Sequence, residues 1–115
     1  MAKYETRLFG DFDQVISAID EGILRGSISA SREDGSDFAC GSGNVRCAVR
    51  VYERYSMIGS NRVSLSVTLF AEGDEMYLSA ITSGGSQAVF FKLNTFGEQA
   101  FLNRVVEIVA AYTKP

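Results

Sequence analysis

The sequence has no histidine, no tryptophan, one proline and two cysteines. Without histidine, neither a Ser–His–Asp triad nor a Cys–His nucleophile can be assembled. The usual structural zinc sites fall too, because Cys40 and Cys47 are separated by six intervening residues with no further cysteine or histidine to complete a ligand set. No run approaches the roughly 20 apolar residues that a membrane-spanning helix needs. The opening MAKYETRLFGDFD has no apolar core, so no signal peptide is expected. Together with the scarcity of cysteine, this points to reduced thiols and a cytoplasmic protein. Positive charge is in short supply as well. The net charge of −3 and pI of 4.9 argue against nucleic acid and anionic lipid as partners.

What is present fits one globular domain over residues 1–115. Apolar residues make 46 % of the chain and charged ones 22 %, the balance of an ordinary packed domain. A chain of this length buries roughly 65 % of its unfolded surface, enough for a core without metals or disulfides. The 11 glycines and single proline suggest tight turns, not a linker.

Periodicity divides the chain. Tyr4 to Phe9 reads as a short strand. Asp11 and Gln14 then form a helix-start signal, and Phe12, Val15, Ile16, Ile19 and Ile23 make one helical stripe that Gly26 stops. The period then falls to two. EDGS at 33–36 reads as a hairpin turn, and GSGN at 41–44 as a break or bulge. Val45, Cys47, Val49 and Val51 read as core positions, alternating with outward Arg46, Ala48, Arg50 and Tyr52. Val63 to Leu69 and Met76 to Ala80 continue the alternation, with turns at GSN (59–61) and EGDE (72–75). Ala88 to Leu93 reads as a last strand, and Thr95 with Glu98 as the capping box of a C-terminal helix. The expected fold is two-layer α+β. It is an antiparallel meander of about five to six strands, with one helix after strand 1 and a C-terminal helix packed on one face.

Three groups of residues are candidate sites. Gly84, Gly85 and Ser86, followed by Lys92 and Asn94, can be drawn as an anion-binding loop. A strand follows where a phosphate loop needs a helix, so a glycine turn explains the same residues. Arg46, Arg50 and Arg54 flank Tyr52, as on single-stranded RNA readers, but the acidic pI favours a solvated outer face. Tyr52, Phe70, Ile81 and Phe90 all fall on the outward phase. Four large apolar residues on an open face make a candidate interface. The carboxylates Asp34, Asp37, Glu72, Asp74 and Glu75 sit in turn-like stretches, and nothing pairs them as acid and base. No catalytic residue, metal ligand or cofactor is assigned.

The stretch GGSQAVFFKLNTFGEQAF (84–101), the opening YETRLFGDFDQV and GSISAS (26–31) resemble a family of small, mostly Gram-positive bacterial proteins of unknown function. The resemblance implies a cytoplasmic bacterial protein and carries no activity to transfer. In outline, a curved sheet holding a C-terminal helix is also similar to helix-grip, Bet v 1-like folds.

The leading expectation is a non-enzymatic domain that self-associates as a homodimer or binds a protein partner through its open sheet face. An alternative is a carrier of a small apolar ligand, in a cleft near Phe91, Phe96 and Phe101. A second alternative is an enzyme acting on an anionic substrate near the 83–86 loop.

Overall fold

A computed structural model describes residues 1–55, 62–84 and 91–115, without the side chains of 91–96. The chain runs β1 (Ala2–Leu8), α1 (Phe12–Arg25), β2 (Ser31–Cys40), β3 (Val45–Tyr55), β4 (Arg62–Glu72), β5 (Glu75–Gly84) and α2 (Phe91–Val109). The five strands form one antiparallel sheet in the order β1-β5-β4-β3-β2. This is the expected α+β architecture, with five strands among the described residues.

Helix α1 forms as its sequence dictates. Asp11 holds an extended backbone, and its carboxylate accepts the Gln14 N–H at 3.0 Å, satisfying one free donor of the first turn. All five residues of its apolar stripe are buried. The helix closes against α2 at Gly22. A methyl group there would lie 2.6 Å from Ile108, so the contact needs glycine. The Gly22 carbonyl also accepts from the Arg104 guanidinium of α2 at 3.2 Å.

Both helices lie on one face of the sheet. That face carries the core: Leu8 from β1, Met76, Leu78 and Ala80 from β5, Val63, Leu65, Val67 and Leu69 from β4, and Phe101, Leu102, Val105 and Val109 from α2. The chain end is tied back where the Phe9 N–H donates to the Tyr112 carbonyl at 2.7 Å.

Five expectations need correction. EDGS is not a turn, because β2 runs through it and absorbs Glu33 as a bulge where the register shifts between Arg32 and Asp34. The β2–β3 turn is GSGN, closed by the Gly43 N–H on the Cys40 carbonyl at 3.1 Å, with Gly41, Ser42 and Gly43 at φ of 60°, 58° and 87°. Left-handed backbone at consecutive positions favours glycine, which the segment supplies twice.

The phase of β3 is inverted. Ala48, Arg50 and Tyr52 face the helices and are buried, while Val45, Cys47, Val49 and Val51 face the open side and are half-buried. The helix layer at β3 is thin enough for long side chains to leave it sideways. Arg46 lays its guanidinium 4.2 Å from the Phe12 ring centre, and Arg54 does so 4.5 Å from Phe101. Their stems cover apolar surface while their charges reach the rim.

Phe91 to Leu93 belong to helix α2, not to a strand. Short apolar runs do not separate a strand from a buried helix segment by period alone. Thr95 therefore sits inside the helix, and the capping box falls. Glu98 is buried and ion-paired with the amino group of Met1.

Candidate functional site

The uncovered face of the sheet is built by the second parity of each strand. Register places its side chains in rows that cross all five strands. One row reads Arg7, Tyr77, Phe70, Cys47, Phe38 from β1 to β2. The next reads Glu5, Ser79, Thr68, Val49, Ser36, and the third Lys3, Ile81, Ser66, Val51, Asp34. Large apolar side chains therefore stand on neighbouring strands with no layer above them among the described residues. Phe38 is 65 % exposed, Tyr77 45 %, Phe70 42 % and Ile81 38 %. Val49 and Val51 lie half-buried between them.

Polar groups fence this surface. At the β1 edge Lys3 pairs with Glu5 at 3.4 Å, and the Arg7 guanidinium lies 4.7 Å from the Phe9 ring centre. The Tyr77 hydroxyl donates to Glu75 at 2.9 Å, and this hydrogen bond holds its pKa above the usual phenol value. At the far end Arg62 pairs with Glu53 at 2.6 Å and lies over the Tyr55 ring. A shallow groove of about 360 Å³ runs between β1 and β4, bordered by Glu5, Arg7, Thr68, Phe70, Tyr77 and Ser79.

A second, smaller cleft of about 220 Å³ opens on the helix side, between α1 and the β3–β2 edge. Its polar groups bind one another. The Tyr52 hydroxyl donates to Asp20 at 2.9 Å, and Asp20 lies 3.9 Å from Arg32. Arg50 donates to the carbonyls of Val49 and Ser36 at 3.0 and 3.3 Å and to Asp37 at 3.0 Å. Burial, then the hydrogen bond to Asp20, push the Tyr52 phenol strongly upward in pKa. Next to the cleft, Arg46 grips Asp13 through two bonds of 2.8 and 3.1 Å, which hold the Asp13 carboxyl below its usual range. These partners make the cleft a cross-brace between α1 and the sheet edge. Of the arginines expected on an outer face, Arg50 belongs to this brace and Arg46 flanks it, while Arg54 lies over Phe101.

Among the residues expected at an interface, Phe70 and Ile81 stand on the open face as expected. Tyr52 does not, since its ring is fully buried beneath α1. Phe90 lies outside the described residues. Of the candidate loop, Gly84 ends β5, while Gly85 and Ser86 lie outside the described residues. Lys92 and Asn94 fall in the first turns of α2, and their side chains are likewise outside. Cys47, expected in the core, is part of the open face, and Cys40 is exposed. Tyr77 and Phe38 were not among the expected interface residues. Tyr77 shares parity with Ile81, which is the signal that finds it. Phe38 was hidden by reading EDGS as a turn.

Among the described residues, no cluster of three or more His, Cys, Asp or Glu side chains is placed to hold a metal ion. No described helix is long and apolar enough to cross a membrane. No curated protein and no solved structure matches the chain. The model of a family of unknown function, DUF6054, matches residues 1–113, and the chain belongs to that family.

Proposed function

We propose that the chain is a non-enzymatic interaction module whose binding surface is the open face of its sheet. The carrying observation is the row Tyr77–Phe70–Cys47–Phe38, in which three aromatic rings on adjacent or near-adjacent strands remain 42–65 % exposed. Apolar patches of a few hundred Å² with a polar border are characteristic of protein contact surfaces. Aromatic anchors with a fixed backbone lose little entropy on docking, because the sheet already orders them.

The carrier reading draws less support. Its cleft would need Phe101, and that ring is 1 % exposed beneath the Arg54 guanidinium. Half of the loop at 83–86, on which an enzyme reading would rest, lies outside the described residues.

The test is native mass spectrometry of the wild type and of Phe70→Glu. The wild type is expected above the 12.5 kDa chain mass. The variant is expected at the chain mass, with an unchanged far-ultraviolet spectrum. A single mass above 12.5 kDa for both proteins would contradict the reading.

A further inference from the structure

We infer that the partner on the open face is a second copy of this chain, docked face to face about a two-fold axis that runs along β4. The inference rests on the interaction-module reading and adds the partner and its geometry. β4 is the middle strand of the five, with β5 and β1 on one side and β3 and β2 on the other. A two-fold axis along it lays β1 over the partner's β2 and β5 over the partner's β3, and keeps every row at its own height.

The rows match themselves under this operation. In the first row Phe70 meets its own copy, Tyr77 meets Cys47, and the Arg7 guanidinium meets the Phe38 ring. Cation over aromatic face is a favourable contact. In the third row Ile81 meets Val51, and Lys3 meets Asp34, so opposite charges close both edges of the sandwich. The middle row brings Thr68 to Thr68 and Glu5 to Ser36, with no charge against its like.

The other face-to-face two-fold runs across the strands and lays β1 over β1. It exchanges the first and third rows. Lys3 then faces Arg7, and Glu5 faces Glu5. Over these three rows like charges disfavour that arrangement, so charge favours the axis along β4, although this axis also sets Glu72 and Arg62 each against its own copy at the two ends of β4. Size is adequate. Five strands spaced about 4.8 Å apart and a central strand rising about 3.4 Å per residue give on the order of 800 Å² a side, the scale of a stable interface. Aligned sheets pack with their strands about 30° apart, which the axis bisects. Contacts near Thr68 and Phe70 are therefore the closest, and the corner pairs are the most adjustable.

The test is a charge-reversal cycle read by sedimentation equilibrium. Lys3→Asp alone sets aspartate against Asp34. Asp34→Lys alone sets lysine against Lys3. Each single variant is expected to weaken the dimer roughly tenfold, since two exposed ion pairs are lost per dimer. The double variant Lys3→Asp/Asp34→Lys restores an opposite-charge pair and is expected to return close to the wild-type dissociation constant. Single variants without effect, or a double variant no better than the singles, overturn the geometry. If Phe70→Glu still disperses the dimer in that case, the open-face reading survives and only the two-fold arrangement falls. If the wild type stays at the chain mass at all concentrations, the second copy is the wrong partner. If Phe70→Glu leaves a dimer intact, the open face itself is not the contact.

Discussion

Val63, Leu65, Val67 and Leu69 point to one side of β4 and are fully buried, while Phe70, the next residue of the same strand, is 42 % exposed. Both faces of the sheet are apolar in their middle. They differ in what lies above them. On the covered side, two helices supply matching stripes, and the resulting core holds the fold. On the open side, the side chains meet only their neighbours in the sheet among the described residues. The same alternating pattern therefore serves stability on one face and, in the function proposed above, recognition on the other.

This contrast can be broken most forcefully from the covered side. Leu65→Ala removes a fully buried side chain at the centre of the core. The expected loss is about 2–5 kcal/mol of unfolding free energy, from lost burial plus the cavity left behind. Urea denaturation measures it. A loss below about 1 kcal/mol would put the core elsewhere.

The second prediction concerns the cross-brace beneath α1. Tyr52→Phe keeps the ring and removes its hydrogen bond to Asp20, at an expected cost of roughly 1 kcal/mol near neutral pH. Burial and Asp20 raise the folded-state pKa of Tyr52 above the unfolded value of 10.0. The contribution of that phenol is therefore complete below pH 10 and declines as pH rises further, because the unfolded chain ionises first. Stability measured at about pH 8 and about pH 11 should show the wild type losing more than the variant across that interval. Parallel losses would remove Tyr52 from the alkaline response.

The smallest expected effect lies on the open face. Phe70→Ala should change the stability of the isolated chain by no more than about 0.5 kcal/mol, as substitutions of exposed side chains usually do. A cost as large as that of Leu65→Ala would mean that Phe70 belongs to the core and is not held ready for a partner.

How far the sequence revealed this contrast depends on the strand. Helix α1 was legible residue by residue, because cap, stripe and stop all agree. β4 and β5 were legible because Ser64, Ser66 and Thr68 mark the open side against four large aliphatics. β3 was not. Its two parities are Val, Cys, Val, Val and Arg, Ala, Arg, Tyr, and hydropathy alone assigns the first set to the core. Which set lies under the helices is decided at long range, by Phe12 and Phe101 offering rings to the arginine stems and by Asp20 accepting from Tyr52. Each partner lies 32 or more residues along the chain from the β3 side chain it meets. The open face was therefore visible at Phe70 and Ile81. It stayed hidden at Cys47, Val49 and Val51, and at Phe38 behind a bulge that looks like a turn.

Hydroxyl-radical footprinting of Phe38, Phe70 and Tyr77 across a dilution series tests the central claim most directly. If the open face is a docking surface for another copy, labelling of these three rings is low in concentrated protein and rises together on dilution, while Phe101 stays protected throughout. Equal labelling of the three rings at every concentration would contradict the account.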